Sequence, residues 1–148
     1  MTNPPAGGTS AALVLTSEVI ERSAVDAIVP GGDASAEAGA GALGRVPLVR
    51  VEGILDASTR ERFARFLAET EDEHGPDMIL DLSGVTFLDS RALGLIVHHW
   101  QRATGTGGRY ALVGVRYQYC KVMWVTGLAD RLPLYDTVAD ALAAFARR

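Results

Sequence analysis

A single cysteine, Cys120, rules out an intramolecular disulfide and any zinc site built on paired cysteines. A lone free thiol suits a reducing compartment better than an extracellular one. Basic residues are few as well: 14 Lys and Arg stand against 18 Asp and Glu, a net charge of −4, with no cationic block. That balance argues against nucleic acid as the main partner. No apolar run approaches the roughly 20 residues of a membrane-crossing helix, so no direct membrane insertion is expected. The opening MTNPPAGGTS has no basic residue and leads into no long apolar run, so it does not read as a signal peptide. The expected setting is cytoplasmic. Phosphate-cradling glycines are missing too, because TGTGG (Thr104–Gly108) follows a helical pattern instead of preceding one and reads as a turn. The G-x-S-x-G nucleophile elbow is absent. Neither an enzyme nor a cofactor or metal site is expected.

The chain has 148 residues, 48% of them hydrophobic, enough for one globular domain with a real core. Composition breaks at PGGDASAEAGAGALG, Pro30–Gly44, which lacks aromatics and reads as a flexible loop or linker. Before it, Leu13, Leu15, Ser17 and Val19 alternate like a strand, whereas Ile20, Ala24, Val25 and Ile28 also fit a helix face. A first strand near residues 12 to 20 is expected, within an N-terminal extension of residues 1–45 that precedes a core at 46–148.

From Val46 the pattern sharpens. VPLVRVEG reads as a strand broken at Gly53, and Ser58 to Glu61 spells an S-x-x-E capping box before a helix with Phe63, Phe66 and Leu67 on its apolar face. Met78–Leu82 reads as a central strand. A helix opens near Ser90, with Leu93, Ile96, Val97 and Trp100 at i, i+3, i+4 and i+7. RYALVGV is the next strand, followed by a short helix over Gln118–Val125 closed by Gly127. LPLY is a last short strand, and Val138, Ala141, Leu142 and Phe145 form the stripe of a final helix starting near Thr137. Strands alternating with helices imply an α/β fold with a partly parallel sheet and right-handed crossovers.

One corner stands out. In VTFLDSRALGLIV, Val85–Val97, Asp89, Ser90 and Arg91 interrupt two apolar segments where a strand hands over to a helix. Ser90 there has two readings. It can cap the helix, worth about 1 kcal/mol, or it can carry a phosphate at an exposed helix start whose dipole favours negative charge. Ser83 and Thr86 are neighbouring hydroxyls of lower rank. His98 and His99 point about 100° apart on a helix and are expected on a solvated or half-buried face, not around a shared metal.

The segments VEGILDAST, LDLSGVTFLDSRALGLIV, GGRYALVGV and VTGLADRLPLYDTVADALAAF, in that order, resemble the STAS domain family. The likeness runs over about Val46–Phe145 and is greatest to bacterial anti-sigma-factor antagonists (anti-anti-sigma factors). It implies a mixed sheet of four or five strands with helices mainly on one face. It also implies a function: the unphosphorylated protein binds an anti-sigma factor with serine kinase activity and frees a sigma factor. Phosphorylation of Ser90 by that partner ends the contact, and a phosphatase restores it. Asp56, Asp89, Ser90 and Arg91 become the partner-binding residues. The alternative is a STAS scaffold or accessory subunit of a stress-signalling or transport complex, not switched by phosphate. The chain departs from the family pattern at Arg91 and Ala92, where Ser-Gly is frequent, and at Ile54, where Glu is frequent. By the same resemblance Cys120 and Trp124, four residues apart, face outward as a second interaction patch, while Tyr119, Val122 and Met123 supply core contacts.

Overall fold

Strands that run parallel need apolar cover on both sides, and this chain supplies it unevenly. The computed structural model describes residues 12–21 and 45–146, so the Ala/Gly-rich stretch 30–44 lies outside the described residues. The elements are β1 (Leu13–Glu21), β2 (Arg45–Leu55), α1 (Arg60–His74), β3 (Met78–Leu88), α2 (Ser90–Gly105), β4 (Tyr110–Val113), α3 (Lys121–Val125), a 3₁₀ turn (Leu128–Asp130), β5 (Leu134–Tyr135) and α4 (Val138–Ala146). Five strands form one mixed sheet in the order β1-β2-β3-β4-β5. β1 is antiparallel to β2, and the other neighbours are parallel.

The two-residue period sorts side chains between the faces. Leu13, Leu15, Val49, Val51, Leu80, Leu82 and Leu112 point to one side, against Phe63 and Leu67 of α1, Leu93 and Ile96 of α2, and Met123 of α3. Phe66 is partly buried at the edge of that core. Val46, Leu48, Ile79, Ala111 and Val113 point to the other side, where Ala141, Leu142 and Phe145 of α4 cover them. The helices thus lie mainly on one face, as the family resemblance implies. Thr137 holds the start of α4, its Oγ1 accepting from Asp140 N at 3.0 Å.

Several boundaries differ from the sequence expectation. β2 is not broken at Gly53 but runs through it with a register irregularity beside it. Glycine supports this by adopting φ 113°, which lets the backbone of β1 come close: Ile54 N donates to Ala12 O at 2.7 Å. β3 continues past Leu82 to Leu88, because Val85 and Leu88 keep adding buried apolar side chains beyond a second irregularity near Gly84. The Ser58–Glu61 capping box does not form. α1 starts at Arg60, and the Ser58 hydroxyl is donated to Asp56 Oδ1 at 2.6 Å. An aspartate accepting from two residues on competes successfully with a helix cap.

His99 is also not on a solvated face. His98 is exposed, but His99 is 6% exposed and sits where α1, α2 and β4 meet. Its Nδ1 lies 2.9 Å from the Tyr110 hydroxyl, and its Nε2 lies 3.3 Å from Glu71 Oε1 without hydrogen-bond alignment. Glu71 also receives Arg102 Nη2 at 3.1 Å. A carboxylate only accepts, so the imidazole proton belongs on Nε2 and Tyr110 donates to Nδ1. Burial holds the His99 imidazole below its ordinary value, outweighing the pull of Glu71.

Two outcomes follow. In Gly53→Ala the new methyl would lie 2.1 Å from Ala12 O at an unfavourable φ, so urea unfolding should show a loss of about 2 kcal/mol. Unfolded His99 binds a proton below about pH 6.5 whereas the folded imidazole resists it, so its contribution to stability is complete above that pH and is lost as pH falls. Thermal melts between about pH 7 and 5 should fall less steeply for His99→Gln than for the wild type.

Candidate functional site

The parallel register of β2 and β3 ends on the pair Leu55–Leu88. Asp56 and Asp89 therefore leave the sheet side by side, at the carboxyl ends of adjacent strands, where ligands bind in open α/β sheets. Asp89 N donates to Leu55 O at 3.0 Å and ties the two exits together.

Asp89, not Ser90, caps α2. Its backbone is extended (φ −93°, ψ 174°), and its Oδ1 accepts from Ala92 N at 2.8 Å. Both residue types are good caps, so the sequence alone could not rank two neighbours; the position of the first helical residue decides. Ser90 becomes that first residue, exposed, and among the described residues its hydroxyl has no hydrogen-bond partner. Arg91 is exposed beside it, and among the described residues it forms no ion pair with Asp89.

Asp56 is held by its own turn. Its Oδ1 accepts from Ser58 N at 2.8 Å as well as from Ser58 Oγ. The Ser58 hydroxyl and then its amide keep the carboxyl below the ordinary value, so it stays an anion. Beneath it Thr59 is buried, accepting from Asp56 N at 3.0 Å and donating to Ile54 O at 2.7 Å. The loop carrying Asp56 is thus braced on the end of β2.

A depression of about 450 Å³ opens beside the corner. It is lined by Phe87, Asp89 and Ser90 from the corner between β3 and α2, and by Tyr119, Lys121 and Val122 from α3 and the turn before it. Lys121 is the functional candidate that sequence reading missed. It lies far from Ser90 along the chain, and only the β3–β4 pairing brings α3 opposite the start of α2.

The pairing of Cys120 with Trp124 as an outward patch is corrected by the structure. Cys120 is wholly buried in the main core, and burial pushes its thiol up from the ordinary value. α3 begins only at Lys121, so helical spacing does not carry back to Cys120. Met123 is buried, while Tyr119 and Val122 are partly buried against the core. Trp124 alone faces out, edge-on to Tyr117 with ring centroids 5.2 Å apart.

The capping geometry sets a contrast between neighbours. Asp89→Ala should cost about 1 kcal/mol in chemical denaturation, whereas Ser90→Ala should stay within about 0.5 kcal/mol of the wild type.

Among the described residues no helix is long and apolar enough to cross a membrane. A model of the STAS domain matches residues 40–141. The anti-sigma F factor antagonist of Paenibacillus polymyxa is 29% identical over 101 residues, 66% of this chain and 84% of its own. A Thermotoga neapolitana protein, provisionally named an anti-sigma factor antagonist homologue, is 35% identical over 65 residues, 44% of this chain. The chain spans only 58% of that relative's length. Among solved structures, an anti-sigma factor antagonist from Mycobacterium paratuberculosis superimposes with a TM-score of 0.61 at 28% identity, covering 70% of this chain and 86% of its own. With the mixed five-stranded sheet and the strand-to-helix corner in place, this chain belongs to the STAS domain family.

Proposed function

We propose that this chain is an anti-sigma factor antagonist that binds a kinase-type anti-sigma factor in the cytoplasm, frees a sigma factor, and is switched off by phosphorylation of Ser90. The observation that carries the reading is the capping of α2 by Asp89, which leaves the Ser90 hydroxyl exposed at the first helical position. The names of the relatives point to the same role.

The chemistry is phosphoryl transfer by the partner. Ser90 Oγ gives its proton to a base on the anti-sigma factor and bonds the γ-phosphorus of the ATP held there, while the bond from that phosphorus to ADP breaks and ADP leaves. The ester brings a charge of about −1.5 to −2 next to Asp89 and the mouth of the depression. The amino-terminal dipole of α2 tolerates that charge, so the fold survives while a docked partner meets new repulsion. Asp56 and Arg91 flank the corner and belong to the contact surface under this reading. A phosphatase resets it. A hydrolytic role finds no support, because His99 is buried against Tyr110 and Glu71 instead of facing Ser90 as a base.

The test is direct. Peptide mapping by mass spectrometry of protein purified from its own cells with phosphatase inhibitors should place phosphate on Ser90. Binding to the kinase-type anti-sigma factor from the same cells should survive Ser90→Ala and drop at least about 100-fold in Ser90→Asp, the equivalent of about 2.7 kcal/mol. Unmodified Ser90 in every growth condition, with both variants binding like the wild type, would instead favour a scaffold that phosphate does not control.

A further inference from the structure

The large apolar side chains that stand exposed among the described residues are Phe87 (49%), Tyr117 (55%), Trp124 (39%) and Val125 (80%). They are not scattered. Phe87 lines the depression together with Val122 of α3. Val122 and Val125 are three apart on that helix and share a face. Tyr117 packs edge-on to Trp124 of the same helix. Exposed apolar side chains therefore stand both at the depression beside Ser90 and along α3, and clustering of this kind marks an interaction site.

Charge identifies what fits it. The segment Gly114–Arg131, which carries α3, holds Arg116, Lys121 and Arg131 against one acid, Asp130, in a chain whose net charge is −4. Lys121 lines the depression together with Ser90 and Asp89, and the Asp89 carboxylate is engaged by Ala92 N. Arg116 is exposed next to Tyr117, and its guanidinium lies 6.0 Å from the Tyr119 ring centroid. A locally cationic and aromatic surface on an acidic protein complements an acidic amphipathic segment.

We propose that the α3 surface, from the Ser90 depression to Trp124 and Val125, docks an acidic amphipathic segment of a protein partner. Apolar side chains of that segment enter between Phe87, Tyr119 and Val122, and its carboxylates meet Lys121 and Arg116. This rests on the reading of the Ser90 corner as a partner-binding site, and it explains the sign of the switch. A phosphate on Ser90 places negative charge where the partner's own carboxylates dock, so it competes for Lys121 as well as repelling the newcomer.

The experiment uses the full chain and two synthetic helical peptides, one with leucines on one face and glutamates around them, the other with lysines replacing the glutamates. Both are titrated by NMR, following backbone amides and the Trp124 indole. The expected result is that the glutamate peptide shifts residues of Lys121–Val125 and binds at least about tenfold more tightly than the lysine peptide. Lys121→Glu should weaken it about tenfold and Val125→Asp should abolish it, with circular dichroism of both exposed-site variants unchanged. Equal or tighter binding of the lysine peptide, shifts confined to other surfaces, or no binding of either peptide overturns the proposal. Ser90→Asp separates this proposal from the one it rests on. Docking that requires Lys121 but ignores Ser90→Asp leaves the α3 surface standing and removes the phosphate switch.

Discussion

The hydrogen bond from Asp89 N to Leu55 O closes the ladder between β2 and β3, and the edge that carries Asp56 and Ser90 depends on it. Parallel pairing fixes the two exits in register, so the Asp56 turn and the α2 cap are set by backbone bonds and not by contacts between their own side chains. Asp56 is then spent on Ser58, and Asp89 on Ala92. Neither carboxylate holds the other in place. A surface built this way stays in shape when a charge is added to it, because the groups that shape it are already satisfied.

The sheet behind the edge is covered on both faces, with unequal weight. α1 and α2 share the larger core with α3, and the His99–Tyr110–Glu71 contact gives that side a polar join in an otherwise apolar interface. A buried polar group of this kind fixes how two helices sit only while its partners remain in reach. α4 covers the opposite face with alanines, a leucine and a phenylalanine, and leaves the corner untouched.

Much of this was legible in the residues. The apolar periods of Leu93, Ile96 and of Ala141, Leu142, Phe145 mark helices that bury those side chains, because helical period depends on few competing choices. The Asp-Ser-Arg corner was visible as polar residues between two apolar segments. What the sequence left open were local contests among neighbours. Asp89 and Ser90 were both candidates for the start of α2, and the backbone chose the aspartate, while at α1 Ser58 gives its hydroxyl to Asp56 and the helix starts after Thr59 with no side-chain cap. Gly53 looked like a strand end because glycine usually is one; here it admits a second strand. Cys120 was misplaced because the short helix starts at Lys121, three residues later than the expected Gln118. Lys121 carried no local signal at all, since its meaning comes from a neighbour some thirty residues away in the chain.

The division of roles between Asp89 and Ser90 has a consequence for how such a corner changes over time. One residue makes the cap, and the hydroxyl of its neighbour takes no part in it. Selection on folding and selection on any role of the Ser90 hydroxyl therefore act on different codons, even though the codons are adjacent. A lineage can trade the hydroxyl for another side chain, gaining or losing a means of control, without first having to rebuild the helix that displays it.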